Sequence, residues 1–124
     1  MPARRNTQQR TAILNALEDI GRPLTAEEIH TEARKRARGL GIATVYRNLR
    51  TMLDEERLET VDLPGEPSRY EVAGKDHHHH FVCNRCERVF EIENCSSNVQ
   101  EMTPRGFKLE RHEVILYGRC PDCS

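Results

Sequence analysis

The 124-residue sequence lacks any apolar run approaching the ~18 to 20 residues that a membrane span requires. Behind its basic first ten residues stands no apolar stretch of the kind a secretory signal carries. A soluble, cytoplasmic chain without a membrane partner is therefore expected. A charge excess is also missing: 19 Lys and Arg nearly cancel 20 Asp and Glu, for a formal net charge of −1, so the average carries no polyanion-binding signature. There is no internal repeat, and the one low-complexity tract is a block of four histidines. With no nucleophile constellation and no cofactor fingerprint, neither an enzyme nor a small-molecule substrate is expected. Hydrophobic residues at 36% leave room for one ordinary domain or two very small ones.

What is present is unevenly distributed. Residues 1–53 hold ten Lys or Arg against five acids, a local excess of +5 that leaves −6 for the remainder. That asymmetry assigns the basic half to nucleic acid. Ile13, Leu14, Leu17 and Ile20, with Ala12 and Ala16 beside them, follow helical spacing until Gly21 and Pro23 end the run. Thr25-Ala26-Glu27-Glu28 is a capping box that starts a second helix, with Ile29, Ala33 and Ala37 as its apolar edge and Gly39 and Gly41 as its close. Thr44 is the expected cap of a third helix, which buries Val45, Leu49, Met52 and Leu53 and turns Tyr46, Arg47 and Arg50 outward. Two short strands, 58–62 and 69–72, flank a Pro/Gly turn.

Three helices followed by a hairpin is the order of a winged helix-turn-helix, whose third helix enters a major groove. Arginine can fork onto guanine there, and a tyrosine ring can pack on a thymine methyl. Thr44, Tyr46, Arg47 and Arg50 thus form the candidate DNA-binding set with Arg10, and Arg4 and Arg5 would add phosphate contacts. The bland alternative is a solvated helix face. Beyond a hinge at 74–76, strands near 81–82, 89–92 and 114–117 and a weak helix at 94–102 describe a small α/β domain over 77–124. The whole chain is then α+β, with residues 1–73 as the winged-helix domain.

Cys83-x2-Cys86 and Cys120-x2-Cys123, 33 residues apart, read as two knuckles that close a tetrahedron of thiolates around a structural Zn(II). Such an ion would staple a domain too small to hold together on apolar burial. A disulfide pair and a redox motif are the competing readings. In the block His77 to His80, alternation along an extended chain pairs His78 with His80 on one face and His77 with His79 on the other. His78 and His80 then serve a site apart from the thiols, which Glu71 and Asp62 could complete for Zn(II), Fe(II) or Mn(II). A solvated histidine-rich loop is the alternative. His79, Glu91 and His112 are candidates for a third metal site, His30 reads as structural, and Cys95 stays unassigned.

Ala43-Thr44-Val45-Tyr46-Arg47, Arg69-Tyr70-Glu71, the histidine block running into Phe81-Val82-Cys83-x2-Cys86, and Leu116-Tyr117-Gly118-Arg119-Cys120-x2-Cys123 together resemble the ferric uptake regulator family. The resemblance extends over almost the whole chain. It implies a homodimeric, metal-activated transcriptional repressor that binds operator DNA through the winged helix and dimerises through the C-terminal domain. It also implies a structural four-cysteine zinc and a regulatory metal at the hinge. Carried over, Tyr46 and Arg47 correspond to operator-contacting residues, and Glu71, His78 and His80 to regulatory ligands. Asp62 lies near the acidic residue used by zinc-sensing members. Iron- and peroxide-sensing relatives recruit a histidine where Pro23 stands here, and peroxide sensors carry Asp in place of Glu71. Asp62, Glu71, His78 and His80 still make four positions, which favours Zn(II) over Fe(II) as the regulatory metal. An iron- or peroxide-responsive regulator and a constitutive zinc-stabilised DNA binder remain alternatives.

Overall fold

The computed structural model describes residues 2–93 and 99–124, with side chains from residue 6 onward, so the side chains of Arg4 and Arg5 and all of Cys95 lie outside the described residues. The chain divides into two units, Met1–Lys75 and Asp76–Ser124. No described helix is long and apolar enough to cross a membrane.

In the first unit, α1 (Pro2–Ile20) buries Ala12, Ile13, Ala16 and Leu17 along one stripe. It stops where Gly21, at φ +70°, turns left-handed and returns its N–H to the Leu17 carbonyl at 3.0 Å. The capping box forms as expected: Glu28 N–H donates to Thr25 Oγ1 at 3.2 Å, and Thr25 N–H to Glu28 Oε1 at 3.0 Å. The helix it starts, α2 (Ala26–Ala33), is shorter than its apolar edge suggested. Residues past Ala33 tighten into turns, with Arg36 N–H on the Ala33 carbonyl and Leu40 N–H on the Ala37 carbonyl. Those turns bring Leu40 into the core at 4% exposure, with its carbonyl accepting the Nε2–H of His30 at 2.8 Å. His30 is thus a structural residue in this unit.

The third helix, α3 (Ile42–Asp54), corrects another expectation. Its cap is Gly41, whose extended backbone accepts the Val45 N–H at 3.1 Å, so Thr44 sits inside the first turn instead of capping it. Val45, Asn48, Leu49 and Met52 are buried, and Leu53 is only partly so. Asn48, a polar side chain in that stripe, is satisfied by donating to the Thr44 carbonyl at 3.0 Å. Strands β2 (Leu58–Val61) and β3 (Arg69–Val72) form the expected hairpin, antiparallel with Leu58 opposite Val72. A two-residue strand, β1 (Leu24–Thr25), adds to the far edge of β3, too short to carry any period-2 signal.

The second unit is a three-stranded sheet of β4 (His79–Cys83), β5 (Val89–Ile92) and β6 (Ile115–Gly118) in the order β5-β4-β6. A one-turn helix, α4 (Val99–Met102), and a 3-10 turn, Pro121–Cys123, complete it. Strand β4 starts earlier than its apolar residues suggested and includes His79 and His80, so half of the histidine block is sheet and not loop. The buried hydrophobic residues described here are Val82, Cys83, Val89 and Cys120, against thirteen in the main cluster of the first unit. Apolar burial therefore holds the first unit, and another agent must hold the second.

Helix α3 ends at a left-handed residue, Glu56 at φ +60°, which lets Arg57 N–H reach the Met52 carbonyl at 2.9 Å. A β-carbon there is strained. Glu56→Gly should stabilise the first unit by about 0.5–1 kcal/mol, read as a higher urea midpoint at unchanged slope.

Candidate metal centres and nucleic-acid interface

Strand β6 runs parallel to β4, with Gly118 beside Cys83, so both cysteine pairs emerge at the same end of the sheet. Cys83 closes β4, and a tight turn with Glu87 N–H on the Cys83 carbonyl at 2.9 Å presents Cys86. Cys120 and Cys123 flank the 3-10 turn. The four sulfurs lie within 4.8 Å of one another, and Cys86 Sγ approaches Cys120 Sγ to 3.7 Å. The N–H groups of Cys86 and Cys120 both donate to Cys83 Sγ at 3.4 Å. Those donors favour the thiolate and lower the Cys83 pKa to about 5. Cys123 moves the other way, to about 12, because its sulfur shares a hydrogen bond with Cys120 and is desolvated. Crowded thiols resist joint ionisation unless a cation joins them, and four sulfurs at this spacing with a pre-formed thiolate fit tetrahedral Zn(II). All four expected cysteines are thus assembled, and none of them is in a disulfide.

The histidines divide by alternation. His77 and His79 bring their Nε2 atoms to 3.0 Å, and His77 and His112 to 3.1 Å, so these three imidazoles form one cluster. His79, 3% exposed, accepts the Val114 N–H on Nδ1 at 3.0 Å. Burial first, and then the imidazoles around it, hold its pKa below the usual value. Glu91, expected with His79 and His112, is instead the cross-strand neighbour of His80, and so points to the other face of the sheet. His77 takes its place, a partner the alternation had already put on the side of His79. On the opposite face, the rings of His78 and His80 stand 5.0 Å apart. His78 Nδ1 donates to the Asp76 carbonyl at 2.8 Å, which fixes the orientation of the ring.

The carboxylates of the expected hinge set belong to the first unit. Glu71, in β3 opposite Glu59, is 4% exposed. Asp62 is exposed and accepts hydroxyl hydrogens from Ser68 at 2.6 Å and Thr60 at 3.1 Å. Pro23, where iron-sensing relatives were said to place histidine, is buried and has no donor atom to offer a metal.

On α3, Tyr46, Arg47 and Arg50 are exposed, as a reading face needs. Tyr46 is 46% exposed and donates its hydroxyl to Glu27 Oε1 at 2.9 Å. That bond raises the phenol pKa. Arg47 Nη2 donates to Thr44 Oγ1 at 3.1 Å, so Thr44 orients the Arg47 side chain from one turn away. Arg10, expected at phosphate, forms an ion pair within the unit: its Nη1 donates to both oxygens of Glu55 at 3.1 and 3.4 Å. Glu55 follows the last turn of α3, where a carboxylate opposes the helix dipole, and Arg10 offsets it. Sequence reasoning missed Glu27 and Glu55, since neither pairing has a local spacing to announce it.

A winged helix with an aromatic and basic third helix, followed by a small sheet gathering thiols and imidazoles, defines the class of metal-responsive DNA-binding regulators. Residues 3–117 match the ferric uptake regulator family, and the chain belongs to that family. It is 34% identical over 123 residues to the ferric uptake regulation protein of Campylobacter jejuni, covering 95% of this chain and 78% of that protein. It is 33% identical over 122 residues to the zinc uptake regulation protein of Mycobacterium tuberculosis, covering 96% of this chain and 94% of that one. The Helicobacter pylori ferric uptake regulator, whose structure is described as revealing three functional metal binding sites, superposes with a TM-score of 0.72 at 26% identity, over 93% of this chain and 79% of that one.

Structural zinc contributes about 10–16 kcal/mol of folding free energy in small domains at neutral pH. Cys86→Ser or Cys120→Ser should therefore lose zinc on dialysis against a mild chelator and melt the sheet signal of residues 76–124, while the helices of the first unit persist. Acidification should weaken retention, because protons compete for the thiolates. Zinc analysis with circular dichroism reads both; a Cys120→Ser protein that keeps its sulfur-bound zinc would refute the assignment.

Proposed function

We propose that this chain is a cytoplasmic repressor that binds operator DNA as a homodimer when a regulatory metal, Zn(II) in preference to Fe(II), occupies a site made by Glu71 and Asp62 with His78 and His80. Residues 1–73 are the DNA-binding domain, 74–76 the hinge and 77–124 the dimerisation and metal-binding domain. Family membership supports the regulator reading, and the observation that carries the metal site is the pairing of His78 and His80 on one face of the chain, their rings 5.0 Å apart. The hydroxyls on Asp62 orient its carboxylate without exhausting it, since each oxygen keeps a further lone pair. Zinc is preferred because Pro23 supplies no donor, leaving four ligands, the number a tetrahedral ion takes. The cluster of His79 and His112, with His77 where Glu91 had been expected, is a third metal site.

The mechanism is a coupling of free energies. Glu71 and Asp62 of the winged helix, with His78 and His80 of the C-terminal domain, would hold the ion together, and holding it would fix the winged helix on the dimer and so set the span between two recognition helices. Tyr46, Arg47 and Arg50 read base edges, and the +5 excess of residues 1–53 attracts phosphate. Metal then raises DNA affinity, and DNA raises metal affinity by the same factor. No enzymatic step is involved.

The test is a gel-shift titration on the upstream region of the chain's own gene, with free zinc, ferrous iron and manganese each buffered across several decades. Zinc should tighten binding by about 5- to 150-fold, the usual range for such coupling. His80→Ala should abolish that gain while leaving the thiolate zinc in place. A His80→Ala protein that binds DNA as tightly as the parent would identify a constitutive zinc-stabilised binder instead.

A further inference from the structure

The contact between Tyr46 and Glu27 puts a carboxylate beside a surface that has to approach phosphate. Its placement is not loose. Glu27 sits in the first turn of α2, between Thr25 and Glu28, whose reciprocal hydrogen bonds pin that turn. Ala26 at 3% and Ile29 at 0% exposure anchor the same turn in the core. Tyr46 has no such anchor: Val45 and Leu49 fix the α3 backbone, but its own ring is 46% exposed. The 2.9 Å hydrogen bond to Glu27 therefore supplies the constraint that burial does not.

We propose that Glu27 is a positioning residue for DNA recognition, its carboxylate holding the Tyr46 phenol against the start of α2 so that the ring meets a base edge in one orientation. The inference rests on the reading of Tyr46 as a DNA-contacting residue. Two physical effects of Glu27 act on different quantities. Holding the ring spares the complex the entropic cost of ordering an exposed side chain, which favours the sequence the ring fits. The negative charge repels phosphate and weakens binding to every sequence alike. Together they raise the ratio of specific to non-specific binding, a device of discrimination more than of affinity.

The experiment uses the full chain with zinc present, a duplex selected by the parent protein from a random pool, and a scrambled duplex of the same composition. Glu27→Ala should weaken binding to the selected duplex by about 2- to 10-fold, the range expected for one side chain left to be ordered on binding, without weakening the scrambled one. Glu27→Gln, which keeps an acceptor oxygen but not the charge, should restore the selected duplex and tighten the scrambled one. On a Tyr46→Phe background, where the hydroxyl is gone, Glu27→Ala should no longer weaken binding to the selected duplex. Absorbance titration should show the Tyr46 phenol, freed of its hydrogen bond to Glu27, ionising at lower pH in Glu27→Ala, with Tyr70, on which the same charge acts, moving in the same direction. Wild-type affinity of Glu27→Ala for the selected duplex, or full additivity with Tyr46→Phe, would overturn the proposal. Should Tyr46→Ala bind the selected duplex as the parent does, the DNA-contact reading itself fails; should Tyr46→Ala bind weakly while Glu27→Ala does not, only the positioning role is lost.

Discussion

The second unit depends on four sulfurs that cannot share their site as thiolates without a cation. Its described apolar core is four residues, two of them the cysteines Cys83 and Cys120. The sheet around them is three strands of four or five residues, and strands that short need a partner layer or a staple. The backbone has prepared for an ion by aiming two N–H groups at Cys83, so one ligand is charged in advance and the others complete the shell. Metal binding and folding are in this way a single equilibrium for residues 76–124. The first unit has its own core and no such dependence.

On the proposed reading, that separation lets two different affinities for metal coexist in one chain. A site that doubles as the core of a domain must stay filled, whereas a site that reports on supply must fill and empty. Sulfur suits the first task, being soft and held by short local turns. Imidazole with carboxylate suits the second, as donors that a harder or more weakly bound ion can also use. Alternation along β4 keeps these donor sets apart with no spacer between them: His80 and Cys83, three residues apart, fall on opposite faces of one strand.

Signals confined to a few neighbouring residues were legible in the sequence. The capping box at Thr25, the helix stop at Gly21, the hairpin of the wing and the grouping of the four cysteines all follow from local spacing, and all are present. Where the reading failed, a distant residue decided the outcome. Thr44 looked like a cap because its hydroxyl can serve as one, but Gly41 already closes the first turn and Thr44 is left to orient Arg47. The second helix should have reached Gly39, yet burying Leu40 requires tighter turns after Ala33. The ion pair of Arg10 with Glu55, 45 residues away in sequence, was not legible either. Glu91 replaced His77 in the expected third cluster because the pairing of β5 with β4, which sets the face of Glu91, cannot be read from composition.

The parallel pairing of β6 with β4 carries a consequence of its own. An edge strand of four residues is prone to slip, and a slip of one position would carry Cys120 about 3.3 Å along its neighbour and turn alternate side chains to the wrong face. Tetrahedral coordination tolerates errors of only tenths of an ångström. The ion thus acts as a ratchet pawl for the sheet, admitting one alignment of the final strand and rejecting its shifted neighbours.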